Sequence, residues 1–210
     1  MRLNLGIRRR LAPLLDDDMQ KIKLANSLLF TLPGSPALYY GDEIGMGDNI
    51  WLEDRDGLRT PMQWEPGPTA GFSETEPGML FTPVLDEMEY RPDVISVSME
   101  RKDDQSLLNA IRRMIDVRKS HPELGSGVLK WLECDNQAIA AYLRIQEEHG
   151  LLIVHNLSSA PQLANLPVTI DTPTIARDCI SGKRFLFPES SGINMHLPPL
   201  RFYWFELKPR

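Results

Sequence analysis

The chain has 210 residues, enough for one large domain or two modest ones. Hydrophobic residues make up 42% and charged residues 25%, the balance of an ordinary globular protein. The net charge of −6 argues against a nucleic-acid binder or a binder of anionic membranes.

No apolar run approaches the roughly 20 residues needed to cross a bilayer. At the start, basic Arg8-Arg9-Arg10 follow the short apolar stretch, the reverse of a signal-peptide order. Cys134 and Cys179 lie far apart, match no CxxC spacing and read as free thiols of a reducing compartment. The expected location is the cytoplasm.

Residues 16–32 are predicted to form a helix. Asp16, Asp17 and Asp18 stand at its start as caps, and Met19, Ile22, Ala25 and Leu29 follow at helical spacing. Adjacent carboxylates on a helix do not converge, so the triplet is not read as a metal site. Pro33-Gly34 stops the helix. Ala37 to Tyr40 is a short non-alternating apolar run, the pattern of a strand buried on both faces. Residues 45–104 hold many glycines and prolines but also Trp51, Trp64, Phe72, Phe81 and Tyr90, which predicts a long ordered loop over a site. A second helix is expected over 105–120, with Leu108, Ile111 and Ile115 as its stripe and Arg112, Arg113, Arg118 and Lys119 mostly facing solvent. After Gly125 the pattern turns to short strands, at 128–133, 138–145, 151–157, 168–170, 174–180, 184–187, 193–197 and 201–207.

The expected fold class is α/β plus all-β, with a boundary near 125. Residues 125–210 form an antiparallel β-sandwich. Residues 1–124 supply one buried parallel strand and two helices, which do not make a sheet, since a parallel strand needs neighbours on both edges. Buried strand groups left unpaired cost about 1–3 kcal/mol each. The first part therefore reads as the closing helix–strand–loop–helix segment of a TIM (β/α)8 barrel whose other strands lie on a missing N-terminal piece. Polar residues just past a barrel strand face the active site, which singles out Asp42 and Glu43.

Three stretches carry a family resemblance: Gly34-Ser35-Pro36-Ala37-Leu38-Tyr39-Tyr40-Gly41-Asp42-Glu43, Asp54-Arg55-Asp56-Gly57-Leu58-Arg59-Thr60-Pro61-Met62-Gln63-Trp64, and the helix Ser106–Lys119 with His121-Pro122. Together they resemble the α-amylase superfamily, glycoside hydrolase family 13, near its α-glucosidase branch. The stretches at 6–15 and 41–50 are similar to the wording of the trehalose synthase members. That resemblance implies interconversion of maltose and trehalose by retaining glucosyl transfer, using a carboxylate nucleophile and a carboxylic acid about 5–5.5 Å apart. In the family the third carboxylate sits in an Asn-His-Asp stretch, and this sequence has no His-Asp pair. None of the three catalytic carboxylates is carried over, and the chain is expected to be inactive alone.

The resemblance makes Arg59 the arginine that helps close the sugar pocket, its guanidinium suited to hydroxyls or a gating carboxylate. Asp42 and Glu43 could reach the pocket floor or pair with arginines and hold the loop. Trp64 and Trp51 could stack on a sugar face or serve as loop core. No metal is expected: Asp54-x-Asp56-Gly57 fails the calcium-loop register, with Leu52 at the preceding ligand position and Gln63 at the twelfth. No cofactor is expected, and the partner is an α-glucoside disaccharide, bound once the N-terminal barrel half is present. Oligomeric state is open, a homo-oligomer included. The alternatives are an α-glucosidase-type hydrolase fragment, an accessory subunit of a split enzyme, and a free-standing carbohydrate-binding β-sandwich. The barrel helices and the Arg-Thr-Pro-Met-Gln-Trp loop speak against the last, because a binding module has no need of them.

Overall fold

The computed structural model describes residues 9–209, so the basic order at the N-terminus, apart from Arg9 and Arg10, lies outside the described residues. The chain divides into two compact units, one of residues 1–23 and 37–112, the other of 24–36 and 113–210.

The first unit opens with a short helix, α1 (Leu11–Leu14), and the start of α2 (Met19–Thr31). Of the three aspartates expected to cap α2, only Asp18 does so, accepting from the amides of Gln20 at 2.9 Å and Lys21 at 3.3 Å. Asp16 and Asp17 have positive φ, of 58° and 55°, which turns their side chains to other partners. Asp16 pairs with Lys21 at 2.8 Å, and Asp17 accepts the Tyr90 hydroxyl at 2.6 Å.

The predicted strand at 37–40 has no ladder partner among the described residues: 37–39 belong to no helix or strand, Tyr40 begins a turn, and all four residues are exposed rather than doubly buried. Parallel pairing needs a neighbour, and none of the described strands lies in this unit. The long loop is ordered as expected but is not structureless. It holds 3-10 turns at Asp56–Leu58 and Pro77–Met79 and a helix, α3 (Val97–Glu100). Its own small core joins Ile44, Met46, Met62, Leu85, Tyr90 and Val97. The helix α4 (Leu107–Ser120) then begins under a Ser106 cap, whose hydroxyl accepts the Asn109 amide at 3.2 Å. Its buried stripe is Leu107, Ala110, Ile111 and Met114, turned slightly from the expected one.

The second unit adds α5 (Glu123–Ser126) and eight strands: β1 (Val128–Trp131), β2 (Ile139–Gln146), β3 (His149–Asn156), β4 (Gln162–Leu166), β5 (Thr174–Asp178), β6 (Arg184–Phe187), β7 (Ile193–Leu197) and β8 (Phe202–Pro209). They form an antiparallel six-stranded sheet, β1-β2-β3-β8-β5-β6, and a two-stranded sheet, β4-β7. Strand β4 was not anticipated, and the expected strand at 168–170 is reduced to one bridge, Ile170 to Ser190. Between the two sheets, alternate residues interdigitate: Ala141, Leu152, Val154 and Phe205 from the larger, Ala164, Leu166, Ile193 and Leu197 from the smaller.

The opposite face of the large sheet is polar yet buried, and it meets the second half of α2. There the buried stripe of α2 includes Asn26, Ser27 and Thr31, not only apolar residues. Trp204 Nε1 donates to Ser27 Oγ at 2.8 Å, and Ser27 Oγ lies 2.9 Å from His155 Nε2. Indole nitrogen only donates, so Ser27 Oγ accepts from Trp204, and its contact with His155 Nε2 can run in either direction, since a hydroxyl oxygen accepts two bonds and donates one. Thr31 Oγ1 donates to Ser27 O at 2.7 Å and receives the Tyr142 hydroxyl at 2.5 Å. Arginines close the C-terminal end of α2. Arg144, wholly buried, donates to Thr31 O at 2.7 Å and Gly127 O at 2.9 Å. Arg118 donates to Phe30 O and, at 2.8 Å, to Gly34 O, so it is not the solvent-facing residue expected. Cys134 and Cys179 are free thiols. Among the described residues no helix is long and apolar enough to cross a membrane.

Burial pushes His155 down to about 3, against a usual value of 6.5. A folded-state value below the unfolded one means that the unfolded chain takes up the proton first. This contribution to stability is full above about pH 6.5 and is lost as pH falls toward 3, by up to about 1.4 kcal/mol per unit. In denaturant titrations between pH 7 and 4, His155→Gln is expected to flatten the acid loss of stability. An unchanged slope would show that the imidazole stays uncharged for no energetic reason.

Candidate functional site

The site grows from the turn after the 37–40 segment. Gly41 has φ of 90° and Gly45 of 72°, conformations open to glycine and strained for other residues. A Cβ on Gly41 would also stand 2.5 Å from Met46 Sδ and 3.0 Å from Arg10 Nη1. The turn is closed by the Met46 amide donating to Gly41 O at 2.9 Å. Within it, Glu43 Oε2 accepts the Gly41 amide at 2.6 Å, and Asp42 Oδ1 lies 3.4 Å from Arg10 Nη1.

Arg10 is the residue that sequence reasoning missed. Its side chain is 1% exposed. It donates to Tyr40 O at 2.6 Å and Leu58 O at 2.7 Å, and its guanidinium carbon lies 5.3 and 5.1 Å from the rings of Tyr39 and Tyr40. Asp48 accepts its amide at 2.6 Å and pairs with Arg9 at 3.0 Å. Burial pushes the Asp42 carboxyl up, with Arg10 pulling the other way. Nothing in the run Arg8-Arg9-Arg10 marks Arg10 for burial.

The next wall comes from the long loop. The Asn49 amide donates to Gly57 O at 3.1 Å, and the crossing is so close that a Cβ on Gly57 would sit 2.0 Å from Asn49 O. This fixes the 3-10 turn after which Arg59 projects. The Tyr40 hydroxyl donates to Thr60 O at 3.0 Å, tying the two walls together. Trp64 is held by its amide on Ala70 O at 2.9 Å, and Trp64 O accepts the Ser98 amide at 3.0 Å.

Two cavities of about 520 Å³ each result. One is mainly apolar and is lined by Tyr40, Glu43, Arg59, Thr60, Pro61, Met62, Trp64, Phe72, Leu80, Phe81 and Thr82. The other is lined by Arg9, Arg10, Leu11, Tyr39, Asp42, Arg55, Leu58 and Arg59. Arg59 borders both and stands 3.8 Å from Asp56. Of the candidates read from sequence, Glu43, Arg59 and Trp64 meet at the first cavity, and Asp42 borders the second. Trp51 is 83% exposed and lines neither. Tyr40, Phe72 and Phe81 join the apolar cavity without having been singled out for it. The two adjacent carboxylates border different cavities, so neither cavity carries a carboxylate pair. Among the described residues no three His, Cys, Asp or Glu side chains converge as metal ligands.

Residues 8–127 match the α-amylase catalytic domain, and residues 129–204 match the maltogenic amylase C-terminal domain. The first match takes in more than half of the chain, which belongs to the α-amylase family. Its fold class is the expected one, the closing segment of a (β/α)8 barrel followed by an antiparallel β-domain. Within the family it is similar to trehalose synthases. A trehalose synthase/amylase of Mycobacterium tuberculosis is 44% identical over 99% of this chain and 35% of its own length. A trehalose synthase of Pimelobacter sp. is 43% identical over 99% and 37%. The crystal structure of the α-amylase from H. orenii matches at a TM-score of 0.73 and 26% identity, over 96% of this chain and 38% of that one. The trehalulose synthase from Pseudomonas mesoacidophila shares the fold, with a TM-score of 0.73 at 21% identity over 95% and 41%. The chain thus spans about a third of the length of these curated relatives.

Gly57→Ala should destabilise the first unit by about 2–3 kcal/mol, because the added carbon meets backbone that cannot move aside. Gly78→Ala, where nothing lies within 4 Å, should stay within about 0.5 kcal/mol. Equal effects in thermal unfolding would contradict the close crossing at Asn49.

Proposed function

We propose that the chain is the pocket-closing part of an enzyme that interconverts maltose and trehalose by retaining, intramolecular glucosyl transfer. In this reading residues 1–124 belong to the barrel and 125–210 form the β-domain. The observation that carries it is the apolar cavity, where a guanidinium and a carboxylate face aromatic rings. A sugar ring has hydroxyls on its rim and apolar C–H faces, and this lining offers partners to both. Arg59 would donate to hydroxyls through its fork, and Trp64 and Phe72 would cover a ring face. Phe81, 98% exposed, would meet substrate or the rest of the barrel. The similarity to trehalose synthases supports disaccharide isomerisation as the reaction.

Retaining transfer requires two carboxyl groups about 5–5.5 Å apart on either side of the scissile bond. Glu43 is committed to the Gly41 amide, and Asp42 borders the other cavity. The chain by itself is therefore read as inactive, with its role to position sugar and exclude water.

Purified chain is expected to give no trehalose or glucose from maltose. Mixing it with the separately produced N-terminal portion of a matching trehalose synthase should restore turnover to trehalose. Arg59→Ala in that mixture should lower kcat/KM by roughly tenfold or more, the value of a lost charge-assisted hydrogen bond. Turnover by the chain alone, or an Arg59→Ala mixture as active as the parent, would contradict this reading. Glucose as the sole product would replace transfer by hydrolysis.

A further inference from the structure

Cys179 and His121 lie 58 residues apart, so no sequence motif announces that they meet. Cys179 directly follows β5, and its amide donates to Trp204 O at 2.8 Å, which fixes where the thiol stands. His121 lies at the junction of α4 and α5, and its Nε2 is 3.8 Å from Cys179 Sγ. Its other nitrogen, Nδ1, is 2.9 Å from Oε1 of Glu123, a residue only 4% exposed. An ionised carboxylate only accepts, so the ring proton sits on Nδ1 and Nε2 turns its lone pair toward the sulfur.

A thiol, an imidazole and a carboxylate behind the imidazole are the parts of a metal site with its outer support. The spacing fits as well. A Zn–S bond of about 2.3 Å and a Zn–N bond of about 2.0–2.1 Å put the two donors about 3.6 Å apart at a tetrahedral angle, close to the separation found. The surrounding charge favours a cation. His121 and Glu123 line a cavity of about 650 Å³ with Glu147, Glu148, His149 and Glu206, and its described lining holds no lysine or arginine. Glu206 and Asp178 act on the sulfur, with Arg177 opposing them. Burial and these carboxylates push the thiol up to about 11, which suits neither a free thiolate nor a nucleophile. A coordinating ion displaces that proton outright.

We infer that Cys179 Sγ and His121 Nε2 bind one thiophilic divalent metal ion, of which zinc(II) is the type, with Glu123 as the positioning residue of the imidazole. No third side chain converges on the pair among the described residues, so water completes the shell, reaching it from the cavity that His121 lines. On binding, the Cys179 S–H bond breaks, its proton leaves to solvent and a sulfur lone pair is given to the metal. The ion then ties the junction of α4 and α5 to the end of β5, a cross-link within the second unit. It is bound whether or not the first unit takes a sugar.

The test is titration of the 210-residue chain with cobalt(II), whose bond to a thiolate gives a charge-transfer absorption, followed by displacement with zinc(II). The band is expected to saturate at one ion per chain below millimolar cobalt and to disappear when zinc is added. Cys179→Ser should abolish it, and Cys134→Ser should leave it unchanged, which separates this thiol from the other free one. His121→Gln and Glu123→Gln should each weaken binding about tenfold or more. A readout on the parent chain guards against variants that fold poorly: zinc should slow alkylation of Cys179 by a maleimide about tenfold or more and leave that of Cys134 as it is. Absence of the band, a band that survives Cys179→Ser, affinity unmoved by both His121→Gln and Glu123→Gln, or alkylation of Cys179 unmoved by zinc would overturn the inference.

Discussion

A buried guanidinium, that of Arg10, is where three stretches of the site-bearing unit meet. It stands at the entry to α1, grips Tyr40 O in the 37–40 segment and grips Leu58 O in the long loop. Burying a cation costs several kcal/mol unless its protons are taken up, and here carbonyl oxygens and two tyrosine rings do most of that work. The arrangement leaves little room, which is why residue 41 has no side chain: any Cβ there would press on the guanidinium and on Met46. The same grip brings the Asp42–Glu43 turn and the Arg59 segment to the two cavities, so both owe their walls to it.

The second unit solves a different problem. Its large sheet is covered on both faces, by the small sheet on one side and by α2 on the other, and the α2 side is polar. Polar groups in such a place are tolerable only when each finds a partner. The chain from Trp204 through Ser27 to His155 Nε2 meets that demand in part, while His155 Nδ1 is left without a hydrogen-bond partner, and burial keeps the imidazole neutral. Arg118 and Arg144 supply partners to the carbonyls that end α2.

Much of this was legible beforehand. The strand alternation of 138–145, 184–187 and 193–197 gave elements within a residue or so of those found, and the helix expected over 105–120 is found at Leu107–Ser120. The family resemblance led to Arg59, Glu43 and Trp64, which share a cavity. What was not legible had physical causes. The segment 37–40 has the composition of a strand, but a strand is defined by neighbours, and the described part of this unit offers none. Strand β4, Gln-Leu-Ala-Asn-Leu, alternates with too few β-branched residues to stand out. The buried face of α2 carries Asn26, Ser27 and Thr31, so hydrophobic spacing pointed to Met19 and Leu29, which are exposed. Arg10 could not be told from Arg8 and Arg9, because its burial depends on carbonyls 30 and 48 residues away.

The central claim is that Arg10 holds the walls of the candidate site together. Amide hydrogen exchange on Arg10→Met, which keeps the length of the side chain and removes its charge and donors, tests it most directly. Opening free energies at residues 41–60 should fall by about 2 kcal/mol or more, while those of β2, β3 and β8 stay as they are. Unchanged protection at 41–60 would show that the turn and the long loop keep their positions without the guanidinium, and would contradict the account.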